Sequence, residues 1–172
     1  MGKICNWWDN LNHYPQGKEM TNIQNFREIR RDGKVIYESM KVEDIFALGP
    51  TEKIVEVQWH NGPQLISLAA NYGVSARVVP GREFVAANEH DDSGQKRMLS
   101  IFNADGSRRF QLSNIQSIRG KDEAGDFRWF EPSRTDAPNV FGVVFNRTSD
   151  DSMFQLDIDA TTGGVVGVYS MR

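Results

Sequence analysis

The sequence has a single cysteine, Cys5, so it can form neither an internal disulfide nor a zinc site built on two or more thiolates. One thiol fits a reducing compartment, and a cytoplasmic location is expected. Long apolar runs are also missing. Nothing approaches the roughly 20 apolar residues that a membrane helix needs. The first 20 residues hold no apolar core of leader length, so no secretory signal is expected. There is no basic surplus. Lysine plus arginine number 20 against 23 aspartates and glutamates, a formal charge of −3. That balance argues against nucleic acid, because phosphate contacts call for a basic stripe. The basic pairs Arg30-Arg31 and Arg108-Arg109 stand beside turn signals and read as solvated hairpin tips.

Chemistry-bearing motifs are equally scarce. The three histidines, His13, His60 and His90, are far apart in sequence. There is no nucleophile elbow, no phosphate loop and no dinucleotide fingerprint. The sequence therefore nominates no catalytic residue, no cofactor and no metal. Asp157 and Asp159 share one face of a strand and could converge on a cation. However, Thr162 stands where a calcium loop needs glycine, so a solvated polar face is the better expectation.

What is present is turn chemistry between apolar runs. At 172 residues, 39% hydrophobic and 25% charged, the chain is expected to form one compact domain over 1–172. Residues 1–20 are expected to be an irregular lead-in that anchors Trp7, Trp8 and Tyr14 on the body. Asp32-Gly33 separates Phe26–Arg31 from Lys34–Ser39, and Asp105-Gly106 separates Met98–Asn103 from Arg108–Leu112. Asp-Gly in that setting is a strong hairpin signal, since glycine accepts positive φ without steric cost. The figure returns more loosely where a turn around Asp150-Asp151 divides Val143–Asn146 from Met153–Leu156. Ile101-Phe102-Asn103 before Phe110-Gln111-Leu112 is echoed by Val144-Phe145-Asn146 before Phe154-Gln155-Leu156, a weak repeat of hairpins. In Phe154–Asp159 the alternation sets Phe154, Leu156 and Ile158 on one face, and a Thr-Thr-Gly-Gly turn leads to a valine-rich return strand.

The segment between these hairpins reads less simply. Ile54–Trp59 is strand-like, and Asn61-Gly62 offers a tight turn. Leu65, Leu68, Ala69 and Tyr72 then fall at helical spacing, with Pro63 at a first helical position and Gly73 at a stop. A short helix near 63–72 is expected, with a strand over Gln64–Leu68 as the competing reading. The polar stretches 88–97 and 120–139 read as surface loops, the second containing a short strand, Asp126–Glu131. The predicted fold is α+β and β-dominated: an antiparallel meander of hairpins in a curved sheet or partly open barrel, with one short helix.

Three functional readings follow. Leu68–Val79, with its Gly-Val-Ser turn, resembles the core of a helix-turn-helix. Pro80-Gly81 would break the recognition helix, so DNA binding is a minor alternative. A second alternative is a hydrolase-type enzyme whose cleft gathers dispersed acids with His60 or His90. The leading reading starts from a net acidic, β-rich chain with no cofactor motif and no concentrated catalytic set, which suits a binding protein better than an enzyme. A compact acidic β-rich chain of this kind resembles the small cytoplasmic immunity proteins of bacterial polymorphic toxin systems. That resemblance implies a non-enzymatic module binding one protein, a cognate toxin with a basic surface, and blocking its active site. It further implies Asp91, Asp92, Asp122, Glu123 and Asp126 as contacts that steer the partner, with Trp129 as the aromatic anchor.

Overall fold

The structure, a computed structural model, describes residues 22–94 and 96–171. The aromatic lead-in, with Cys5, Trp7, Trp8 and His13, lies outside the described residues. The described chain forms thirteen strands and one short helix in three antiparallel sheets. The first sheet has β1 (Ile23–Arg30), β2 (Val35–Tyr37), β3 (Ile54–Asn61) and β4 (Gln64–Ala69) in the order β2-β1-β3-β4, and α1 (Val42–Ala47) interrupts the path from β2 to β3. The second runs β5 (Val74–Val78), β6 (Phe84–His90), β7 (Arg97–Asn103), β8 (Arg108–Gln111) in sequence order. The third is a meander of β9 (Ile115–Ile118), β10 (Lys121–Glu131), β11 (Val140–Arg147), β12 (Met153–Asp159) and β13 (Val165–Ser170). One sheet is strongly curled into a half-barrel, as the β-dominated expectation requires.

The second sheet is the middle layer, and its sequence carries the reason. Along β6 and β7, Phe84, Ala86, Leu99 and Ile101 pack against Phe127, Phe141, Val143, Phe145, Leu156 and Ile158 of the third sheet. The alternate residues Val85, Ala87 and Phe102 pack against Ile23, Val57, Trp59 and Ile66 of the first. A strand buried on both faces reads as a continuous apolar run, and Phe84–Ala87 does. Small side chains at Ala86, Ala87 and Ser100 let both neighbouring sheets approach.

The Asp-Gly hairpins form as expected. Gly33 and Gly106 have φ of +82° and +84°, and Asp32 and Asp105 each accept a hydrogen bond from the backbone N–H two residues on. The helix near 63–72 does not form. Gly62 closes a β3–β4 hairpin at φ +56°, and Gln64–Ala69 is strand β4, paired from Asn61↔Gln64 to Glu56↔Ala69. Alternation won because Ile66, Leu68 and Ala70 face the first core, whereas Leu65 and Ala69 point outward. The described helix is instead Val42–Ala47. The helix-turn-helix reading falls with it: Val74–Val78 is strand β5, and Pro80-Gly81 lies in the turn to β6. The expected loop at 120–139 begins with an eleven-residue strand, β10.

Two bulges set which aromatics turn inward. Asn25, at φ +52°, shifts the β1–β3 register so that Ile23 and Phe26 both face the core. A register shift between Phe127 and Phe130 does the same in β10, and leaves Trp129 outside, 43% exposed. Burial on β1 also holds the Glu28 carboxyl above its ordinary value of 4.5. Such a group favours the folded state only when protonated, so its contribution is present below pH 4.5 and lost as pH rises through the raised folded value. Glu28→Gln is therefore expected to raise the melting temperature at pH 7.5 and leave it nearly unchanged at pH 4, as thermal scans at the two pH values would read.

Candidate protein-binding face

Four of the six sequence-nominated residues lie on β10, and the pleat divides them. Asp122 is exposed, while Glu123 lies on the opposite face and meets Arg147 at 3.1 Å. Arg147 also clasps Asp150 and stacks its guanidinium over the Phe154 ring at 5.4 Å. The Arg147 contact and the hydrogen bonds from Ser152 hold the Asp150 carboxyl far below the usual carboxylate range. Glu123 is thus tied into a charge cluster of the chain's own. Asp126 lies on the same face as Asp122 and accepts a hydrogen bond from Asn114 Nδ2 at 3.4 Å.

Asp91 and Asp92 occupy the β6–β7 turn. Asp91 accepts hydrogen bonds from Ser93 Oγ and the Lys96 N–H, at 2.7 and 3.3 Å. The turn is brought near β10 by two side chains: Asn88 Nδ2 donates to the carbonyls of Phe127 and Arg128, and an Arg97 guanidinium N–H donates to the Arg128 carbonyl. The same contacts bring cations. Burial and Arg128 push the Arg97 pKa down, with Asp126 opposing. Arg97 thus lies within electrostatic reach of both Arg128 and Asp126, and the Trp129 indole N–H is donated to Glu131 at 2.7 Å.

Glu131 leads into a walled cleft. Residues 131–138, Arg77, Val78 and Phe141 line about 590 Å³. The wall is held from below by Asp157. Asp157 and Gln155 do not face solvent as the alternation of β12 suggested: Asp157 is fully buried. Its Oδ2 accepts from Ser133 Oγ, the Arg134 and Thr135 N–H groups and Thr135 Oγ1 at 2.9–3.1 Å, and its Oδ1 from Gln155 Nε2. Asp159 Oδ1 accepts from the Thr161 N–H in its own turn. Both carboxylates serve loop geometry. A second cleft of about 300 Å³, lined by Tyr37, Glu38 and Ala76, shares Arg77 and Val78 with the first.

The residues named for a hydrolytic cleft are placed apart. His60 lines a cleft of about 540 Å³ with Tyr37 and Glu38. Glu38 is held bidentately by Arg82 at 2.8 and 2.9 Å, so both of its carboxylate oxygens are already engaged. Burial, then Arg97 and Lys53, lower the His90 pKa from 6.5. Among the described residues no group of three or more His, Cys, Asp or Glu side chains is placed to hold a metal, and no helix is long and apolar enough to cross a membrane.

Sequence reasoning missed the segment between β2 and β3. Val42 and Phe46 are 64% and 77% exposed, the largest values among the exposed large hydrophobics described. A signal was available: Val42, Ile45 and Phe46 have helical spacing, Glu43 and Asp44 fall in the first turn, and Gly49-Pro50 is a stop.

No protein-family model matches the chain, and no curated protein does. Among solved structures, a chain in the structure of Tne2 in complex with Tni2 superimposes with a TM-score of 0.82 and 35% sequence identity, covering 87% of this chain and 99% of that one. Identity at that level across nearly the whole of the other chain, in the same arrangement of sheets, marks common descent, and the chain belongs to the family of the Tni2 immunity protein.

Proposed function

We propose that this protein is an immunity protein that binds one cognate toxin and neutralises it by blocking the toxin's active site. The observation that carries this reading is the 35% identity and shared fold with a protein captured in complex with Tne2. The scarcity of catalytic motifs and the net charge of −3 support a non-enzymatic module whose partner presents a basic surface. A reducing, cytoplasmic site of action agrees with the single cysteine.

On this reading the partner docks against β10 and the β6–β7 turn. Asp91, Asp92, Asp122 and Asp126 would steer a basic partner, with Glu123 contributing through its Arg147 pair. Trp129 would give holding energy, because a large, half-exposed aromatic beside a cleft is a typical anchor. The test is co-expression in a bacterial host with the effector encoded beside this chain's gene. Wild-type chain is expected to restore growth and to co-purify with the effector at 1:1 stoichiometry. Trp129→Ala is expected to weaken the complex by about 30-fold, the loss that defines an interface hot spot. Growth arrest that persists despite abundant wild-type chain would overturn the proposal.

A further inference from the structure

The segment from Glu38 to Lys53 leaves the first sheet between β2 and β3 and carries α1. Its helix buries no side chain. Ile45 and Leu48 are half-buried, so that face leans on the protein. Val42 and Phe46, four residues apart, lie on the side of the helix next to that face and stand in solvent. Tyr37, at the root of the segment, is 48% exposed. Folding gains nothing from an outward Val-Phe pair on a single-turn helix, which is too short to be stable by its own propensity. An apolar cluster held in water is the mark of an interaction surface.

The stem beneath the tip is tightly fixed. At its start Glu38 takes the bidentate contact from Arg82. At its end Lys34 Nζ donates to the Leu48 carbonyl, and an Arg30 guanidinium N–H to the Pro50 carbonyl, both at 2.5 Å. Arg30 is itself buried and paired with Asp32 at 2.8 Å. A pre-formed tip loses little conformational entropy when it is captured. The tip is also charged with one bias. Glu43 and Asp44 flank the apolar pair against a single lysine, Lys41, and no basic residue closes the helix. Such a surface fits a cleft with apolar floor and basic rim.

We infer that the Val42–Phe46 tip is the element that enters the toxin: Phe46 and Val42 fill an apolar pocket in a basic cleft while Glu43 and Asp44 face its cations. The inference rests on the immunity reading and adds the element that does the blocking. Tyr37 and Glu38, at the tip's root, line a cleft that shares Arg77 and Val78 with the cleft reaching Glu131.

The test uses the full chain and the purified effector encoded beside its gene, with binding read by surface plasmon resonance. Phe46→Asp is expected to weaken binding by about 30-fold or more, mainly through faster dissociation. A double variant, Glu43→Lys with Asp44→Lys, is expected to slow association about tenfold and to flatten its salt dependence. Both variants should melt within a few degrees of wild type, since exposed positions carry little folding energy. Val166→Ala, an exposed apolar residue on β13, is the control and should bind as wild type does. If wild type binds and Phe46→Asp binds within threefold of it, the tip assignment is overturned and the immunity reading stands. If wild type runs as a dimer that Phe46→Asp converts to monomer, the tip is a contact between copies and the assignment fails. If wild type does not bind the effector, the immunity reading fails and takes the assignment with it.

Discussion

Asp157→Ala is expected to lower the unfolding free energy by about 3–4 kcal/mol, among the largest single-residue effects in the protein. The carboxylate is fully buried and has five donors directed at it, two of them backbone N–H groups of Arg134 and Thr135. Removing it leaves those donors facing a cavity the size of a carboxylate. Each buried unsatisfied donor costs about 1–3 kcal/mol, and partial opening of residues 133–135 to water recovers some of that loss. Gly142, which pairs with Asp157 across β11–β12, shows how tightly the loop is seated: a Cβ there would lie 2.7 Å from the Glu131 carbonyl and 3.1 Å from that of Pro132. Urea denaturation followed by circular dichroism gives the number. Asp157→Asn keeps acceptor oxygen but not the charge, and should fall between alanine and wild type. A loss below about 1 kcal/mol for alanine would mean that the loop is held by something other than this carboxylate.

Trp59→Ala is expected to cost about 3–5 kcal/mol. Trp59 is fully buried between the first sheet and the middle one, and its indole N–H donates to the Ala104 carbonyl at 2.7 Å in the β7–β8 turn. The substitution removes the largest side chain of that core and leaves a void that backbone pinned by two sheets cannot fill. Trp59→Phe separates the two contributions. It keeps most of the apolar volume and loses the hydrogen bond, so a cost of about 1–2 kcal/mol is expected. Equal costs for phenylalanine and alanine would contradict a packing origin. The loss should also detach the first sheet from the middle one, which amide exchange in β1 and β3 would report as reduced protection.

Much of the local structure was legible because its causes are local. Asp32-Gly33, Asn61-Gly62 and Asp105-Gly106 fixed three hairpins through the positive φ that each glycine adopts. The alternation of Phe154, Leu156 and Ile158 identified the core face of β12. The segment 64–69 was ambiguous because Leu65, Ile66, Leu68 and Ala69 satisfy period 2 and period 3.6 equally well. The choice came from pairing with β3, a partner that the helical pattern ignores.

What tertiary structure decided concerns the other face of each strand. Gln155 and Asp157 are polar residues in a strand, and sequence alone assigns such residues to water. A loop some twenty residues earlier folds over them and converts a surface carboxylate into an internal anchor. The acids of β10 read as one patch in sequence, but the pleat sends Asp122 and Glu123 to opposite sides and gives Glu123 to Arg147. The outward stance of Trp129 depends on a bulge that turns Phe127 and Phe130 inward together. The exposed pair on α1 depends on a stem anchored by arginines from β1 and from the β5–β6 turn. Turn type and strand periodicity are set by neighbours along the chain, so the sequence by itself determined them. Burial of a polar residue, pairing of a charge and exposure of an aromatic depend on what another sheet or loop brings opposite, and only the assembled sheets could settle those.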